Sequence, residues 1–223
     1  MGGRGGGWLG TTLTPPIDTF YGRQVNAASS DPNSRVWPSM LTWRAQDSSR
    51  MESVRIQLSG KRIRANGRIV AAATANNPAF GAYYELQTDE TGATKRFGLT
   101  VTLAERERQL AIARDEENMW LVTDHQGESR AAYDGALDVD VVFSPFFNAL
   151  PIRRLCLHER AEAVTLPMVY VNVPEMTVAA ATVSYSSEGR PDGIKLRSPV
   201  ADTTVTVDND GFIVDYPGLA EML

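Results

Sequence analysis

From residue 53 onward the chain is written in short runs of alternating apolar and polar residues, each closed by a turn signal, and the pattern breaks for a helix only once. The runs cover 53–58, 63–74, 82–88, 96–103, 109–113 and 120–123. After the break they resume at 164–173, 178–184, 194–196, 203–207 and 212–214. Ser59-Gly60-Lys61, Asn76-Asn77-Pro78, Glu90-Thr91-Gly92, His125-Gln126-Gly127 and Asn209-Asp210-Gly211 supply turns. Many short strands at this spacing predict an all-β sandwich, roll or barrel with one or two short helices.

The break lies in Asp138-Val139-Asp140-Val141-Val142-Phe143-Ser144-Pro145-Phe146-Phe147-Asn148-Ala149-Leu150-Pro151-Ile152-Arg153-Arg154-Leu155. Its first residues alternate, so Leu137, Val139, Val141 and Phe143 share one face of a strand and Asp138 and Asp140 the other. Ser144 reads as the N-cap of a helix and Pro145 as its first residue. Pro151 is expected to end that turn and to pass Arg153 and Arg154 to the next segment. The run Leu166-Pro167-Met168-Val169-Tyr170-Val171 is apolar on both faces, so each side must be covered. A curved sheet wrapped around the helix, enclosing an apolar concavity, satisfies that; by pattern alone a sandwich does so equally.

A length of 223 residues suits one domain with a single core. Residues 1–39 read as a flexible leader rich in glycine and proline, from which Trp8, Phe20-Tyr21 or Trp37 could pack onto a domain spanning 40–223. Gly6 stands where a myristoylation signal needs Ser or Thr. The formal charge of −5 argues against nucleic acid and against docking on an anionic bilayer through bulk charge. No apolar run reaches the roughly 18 residues of a membrane span, and no secretory h-region follows the start. A cytoplasmic protein is the expectation. Cys156, the one cysteine, excludes an internal disulfide and reads as a small buried hydrophobe in a strand.

Chemistry-bearing residues are few. Asp138 and Asp140, two apart on a strand, hold their carboxylates roughly 7 Å apart, and one or both are expected to pair with Arg153 or Arg154 and pin the helix to the sheet. The arginines cannot face the same way, so the second is left for solvent or a ligand headgroup. Phe143, Phe146 and Phe147 form an aromatic cluster, with Tyr83-Tyr84, Tyr170 and Tyr216 adding rings with polar tips: core, or the wall of a pocket. Trp43 and Trp120 read first as core. His125 reads as solvated in its turn, and His158 as a rim or surface residue. There is no G-x-S-x-G elbow, no zinc-binding histidine pair and no complete calcium loop around Asp208-Asn209-Asp210-Gly211.

Together with Val207-Asp208-Asn209-Asp210-Gly211-Phe212-Ile213-Val214-Asp215-Tyr216-Pro217-Gly218-Leu219, the helix-bearing block resembles the glycolipid-binding family of bacterial proteins, formerly a domain of unknown function. Its members tend to open on a Trp near Trp43-Arg44, and the resemblance runs from Thr42 to Leu219. It implies a spiral β-roll, or curved antiparallel half-barrel around a helix, similar to lipoprotein and glycolipid carriers. The sequence departs from the family pattern at Val183, where a Gln usually stands two residues before the tyrosine matched by Tyr185.

The expected function is therefore the binding, as carrier or sensor, of a small amphiphile, with a glycolipid as the ligand implied by the resemblance. Trp43, Asp140, Phe143, Phe146, Asn148, Arg153, Arg154 and Tyr216 are the ligand-binding candidates; no catalytic residue, metal or cofactor is assigned. The alternatives are an enzyme acting on a small hydrophobic substrate in the same cavity, through Asp140 with Arg153, and a structural β-domain with a filled core.

Overall fold

The computed structural model describes Gly2, residues 35–46 and residues 49–223. The compact unit spans Val36–Leu223. The expected leader lies outside the described residues as far as residue 34, Gly2 apart, and the placements considered for Trp8 and Phe20-Tyr21 lie there too. Trp37 does pack on the domain, its ring centroid 5.5 Å from that of Phe212.

The strands before the helix are β1 (Ser39–Ala45), β2 (Arg50–Ser59), β3 (Arg62–Ala71), β4 (Phe80–Thr88), β5 (Thr94–Thr102), β6 (Glu107–Arg114), β7 (Trp120–Asp124), β8 (Gly127–Ala131) and β9 (Asp138–Val141). Helix α1 (Pro145–Leu155) follows. The strands after it are β10 (Ala161–Val171), β11 (Val178–Glu188), β12 (Ile194–Arg197), β13 (Asp202–Val207), β14 (Ile213–Tyr216) and β15 (Ala220–Met222). Turn signals had marked most of these, whereas β1, β8 and β15 are strands outside the runs read from the sequence.

The fifteen strands among the described residues form one open sheet, ordered β8-β7-β6-β5-β4-β3-β2-β1-β15-β14-β13-β12-β11-β10-β9. The two meanders are joined where β15 pairs antiparallel with β1. Among the described residues only β9 and β10 run parallel, and a parallel pair needs a crossover. Helix α1 is that crossover. The sheet curls so far that the approach to β9 crosses under the opposite meander. There the Thr94 amide donates to the Leu137 carbonyl at 2.9 Å, and Trp120 Nε1 to the Ala136 carbonyl at 2.9 Å. The expected curved sheet around a helix is what the chain forms, and one continuous sheet replaces the sandwich.

The helix is buried without a break from Pro145 to Ile152. Phe146 and Phe147 enter the larger core with Tyr84, Phe97 and Phe212, while Ile152 enters a second cluster with Tyr185, Leu196 and Ile213. Both faces of β9 and of the C-terminal part of β10 are covered, as the apolar run predicted. Val139, Val141, Val169 and Val171 point into the larger core and Met168 into the second. At Gly67 the reason for a glycine is close approach: Tyr84, its partner in register on β4, would put Cζ 2.0 Å from an added Cβ.

Two local expectations are corrected. Pro151 lies inside α1, which runs on to Leu155. Pro151 leaves the Phe147 carbonyl without its usual donor, but enclosure by two cores holds the helix. Cys156 is not in a strand: it is the helix C-cap, left-handed at φ 57° and only half-buried. Its amide donates to Arg153 O, and the Leu157 amide to Ile152 O at 2.9 Å, closing the last turn.

Candidate functional site

The strand-to-helix corner carries the site. Phe143 is held at φ 70°, uncommon for a bulky residue, which turns the chain from β9 into the helix. Ser144 occupies the N-cap position with extended backbone, yet its hydroxyl makes no capping bond. It donates instead to Glu52 Oε1 at 2.6 Å, and the Tyr84 hydroxyl donates to the same oxygen at 2.6 Å. Burial pushes the Glu52 carboxyl up to about 7, against the opposing pull of Ser144, Tyr84, Arg50 and the Phe146 amide. A carboxyl from β2 thus serves the start of α1 from across the core, in place of the local cap.

Beside this corner opens a cleft of about 650 Å³. Phe80, Val141, Val142, Phe143, Val200 and Leu219 contribute its apolar lining, and Asp140, Ser144, Asn148, Tyr170 and Tyr216 its polar lining. Arg50 also lines it, with its guanidinium 4.9 Å from the centroid of the Phe143 ring. Asp140 and Tyr170 are register partners on the parallel strands β9 and β10.

The electrostatics of this polar end are unusual. Burial, and then the neighbouring Asp138, push Asp140 up to about 7. Among the described residues nothing donates a hydrogen bond to Asp140. Tyr170 Oη is buried and likewise has no hydrogen-bond partner among them. Burial first, then Asp140, raises Tyr170 above its ordinary value and Tyr216 to about 12. Asn148 is fixed from both sides: its Oδ1 accepts from the Tyr185 hydroxyl at 3.1 Å, and its Nδ2 donates to Ser144 O at 3.5 Å. An unpartnered acceptor and an unpartnered hydroxyl, adjacent in register and lining one cleft, are groups that a bound polar molecule would satisfy.

Of the residues singled out from sequence, Asp140, Phe143, Asn148 and Tyr216 come together in this cleft. The others are placed elsewhere. Trp43 is core, its Nε1 donating to Ile213 O at 2.7 Å, and Phe146 is core as well. Arg154 pairs with Asp138 at 2.6 Å, the expected pin between helix and sheet. Arg153 lies against Phe212, its guanidinium carbon 4.9 Å from the ring centroid. It is not in the cleft, so the Asp140–Arg153 couple weighed for an enzyme is not assembled. His158, expected at the rim, is buried against Gly211 and Arg153, because the helix C-cap turns the chain inward there. Val183 is buried in the second core cluster.

Glu52 and Arg50 were missed as site residues, and Tyr170 was read as core or pocket wall without being among the ligand-binding candidates. Glu52 had a signal: it shares the inward face of β2 with Val54 and Ile56, where a carboxylate is out of place. The place of Tyr170 beside Asp140 had no signal, since only the β9–β10 pairing sets it there. No group of three or more His, Cys, Asp or Glu side chains among the described residues could hold a metal ion.

The model of the family described as "Putative glycolipid-binding" matches residues 40–222. The chain belongs to that family. A crystal structure of a DUF1089 family protein from Pseudomonas aeruginosa is similar in fold, with a TM-score of 0.63 and 23% identity, over 81% of this chain and 95% of that one. No curated protein matches the chain. The family match takes in the corner and the cleft-forming strands. None of the helices among the described residues is long and apolar enough to cross a membrane.

Proposed function

We propose that this member of the glycolipid-binding family binds an amphiphile with a hydroxylated head in the cleft beside the β9–α1 corner. One observation carries the reading: a cleft of about 650 Å³ joins an apolar lining to a buried carboxyl and a buried hydroxyl that lack protein partners. Sugar hydroxyls both donate and accept, so one ligand group could donate to Asp140 and accept from Tyr170. Val141, Val142, Phe143 and Leu219 would take the alkyl part, gaining about 0.8 kcal/mol per buried CH₂. Asp140 and Asp202 line the cleft with Arg50 as its one cation among the lining residues, which disfavours anionic heads. The family description supports the sugar.

The test is mass spectrometry of organic extracts from protein purified without detergent, followed by calorimetric titration with the alkyl glycoside or lipid recovered. A hydroxylated amphiphile near one per chain is expected, and Tyr170→Phe should weaken its binding about tenfold, the loss of one buried hydrogen bond. An empty extract, with no alkyl glycoside stabilising the protein, defeats the proposal.

A second reading rests on Asp140 alone. A carboxyl held at about 7 in a cleft is poised for general acid or base work on a hydrophobic substrate. Asp140→Asn would abolish turnover under that reading, while under the binding reading it alters affinity only.

A further inference from the structure

We propose that the outward face of β1–β5 is a docking surface for an anionic lipid bilayer. Alternation puts Arg55 on β2, Arg64 and Arg68 on β3, and Arg96 on β5 on this face, each exposed. A β-bulge where Thr88 faces Thr94 adds Lys95, so Lys95 and Arg96 both point outward. Arg64 and Arg96 flank Gln87 in one cross-strand row, about two strand spacings or 10 Å apart. Arg55 faces Asn66, two residues along from Arg64, about 7 Å away.

These cations are not spent on the protein itself. Arg62 pairs with Glu90, and Arg68 sits over the Tyr83 ring. Among the described residues, Arg55, Arg64, Lys95 and Arg96 have no carboxylate within ion-pair distance. Four unpaired cations lie within a Debye length of their neighbours and act as one positive patch, in a chain whose formal charge is −5. Glu85 stands on the same face, where it accepts from Asn66 and the Tyr83 hydroxyl, so the cations outnumber the carboxylate among them and the patch stays positive.

The partner is chosen by the apolar side chains that border the charges. Met40, Met51, Val70 and Tyr83 stand on the same face, 59%, 46%, 66% and 37% exposed. Met40 is the register partner of Arg55, and Met51 that of Val70. Methionine, valine and tyrosine among basic side chains suit the interface of a bilayer, where apolar groups enter between anionic headgroups. They do not suit a nucleic-acid strand, which wants base-stacking rings in a groove. The Met51–Val70 pair directly adjoins the Arg50–Ala71 pair, whose residues line the cleft, so docking would bring the cleft beside the membrane. The inference does not depend on what the cleft binds.

Vesicle co-sedimentation tests it with the full chain. Binding is expected to vesicles of phosphatidylcholine with about a third phosphatidylserine, not to phosphatidylcholine alone, and to weaken as salt rises. Each cation removed should lower the partition constant about fivefold, so Arg64→Gln with Arg96→Gln should lower it about 25-fold. Both residues are exposed, and unchanged melting temperatures would show that the double variant is folded. Met51→Ser with Val70→Ser should lower binding in a way salt does not mimic. Absence of binding to the anionic vesicles, or full binding by the double variant, overturns the proposal. So does tighter binding of single-stranded DNA lost in the same variant, which would assign the patch to nucleic acid.

Discussion

Ser144 and Glu52, 92 residues apart in sequence, are joined by a 2.6 Å hydrogen bond inside the core, so the start of the helix is held by the second strand and not by its own cap. Tyr84 completes the arrangement by donating to the same oxygen. Glu52→Ala would leave two buried hydroxyls without an acceptor. It should cost about 3 kcal/mol or more in urea denaturation, while Glu52→Gln, which keeps an acceptor, should cost less than half as much. Equal losses in the two variants would show that the hydroxyls find other partners.

Asp140 makes stability depend on pH in a definite direction. Its folded value near 7 stands above the ordinary 3.8, so folding favours its protonated form. The resulting contribution is fully present below about 3.8 and is lost as pH rises through 7. Asp140→Asn, which stays neutral, should match the wild type near pH 4 and gain a few kcal/mol over it by pH 8. Melting temperatures of both proteins across that range check it; parallel curves would mean that Asp140 titrates normally. Using the difference cancels Glu52, which shares the sign, and His158, whose lowered value acts oppositely.

Asp138 and Arg154 form a pair whose halves are unequal. The Asp138 side chain is 1% exposed and cannot reach water, whereas that of Arg154 is 12% exposed on a long stem. Arg154→Ala strands a buried carboxyl and should cost about 3–5 kcal/mol. Asp138→Asn should cost less, because the guanidinium can turn outward. Chemical denaturation of both single variants gives the order, and the reverse order would refute the argument.

Gly67→Ala should be among the most damaging single-methyl changes. The new Cβ would meet the Tyr84 ring at 2.0 Å, and Tyr84 cannot retreat without leaving Glu52. A loss of about 3 kcal/mol or more is expected, at the upper end for overpacking. Gly81→Ala on the next strand, where no atom lies within 4 Å of an added Cβ, should be nearly neutral and serves as the control.

Much of this was legible in the chain because it rests on local periodicity. The alternation of β2 to β7, the turns at Gly60 and Gly92, and the strand-to-helix break at Pro145 are each set by neighbouring residues. The Asp138–Arg154 pin was legible in kind, as opposite charges flanking one corner, though not which arginine would serve. Pro151 misled for the opposite reason. Its local tendency to break a helix was overridden by a core that closes on α1 from two sides.

By itself, then, the sequence determined strand content, the site of helix α1, and four of the residues that meet in the cleft. The tertiary structure alone decided that β9 pairs parallel with β10, which sets Tyr170 beside Asp140, and that β15 returns to β1 to make two meanders one sheet. It also decided that Arg153 faces Phe212 and that Arg55, Arg64, Lys95 and Arg96 share a face. The physical reason is common to all of these. Strand pairing is made by backbone hydrogen bonds that any residue can form, so the side chains fix which face a residue takes but leave its neighbours across the sheet to the closure of the core.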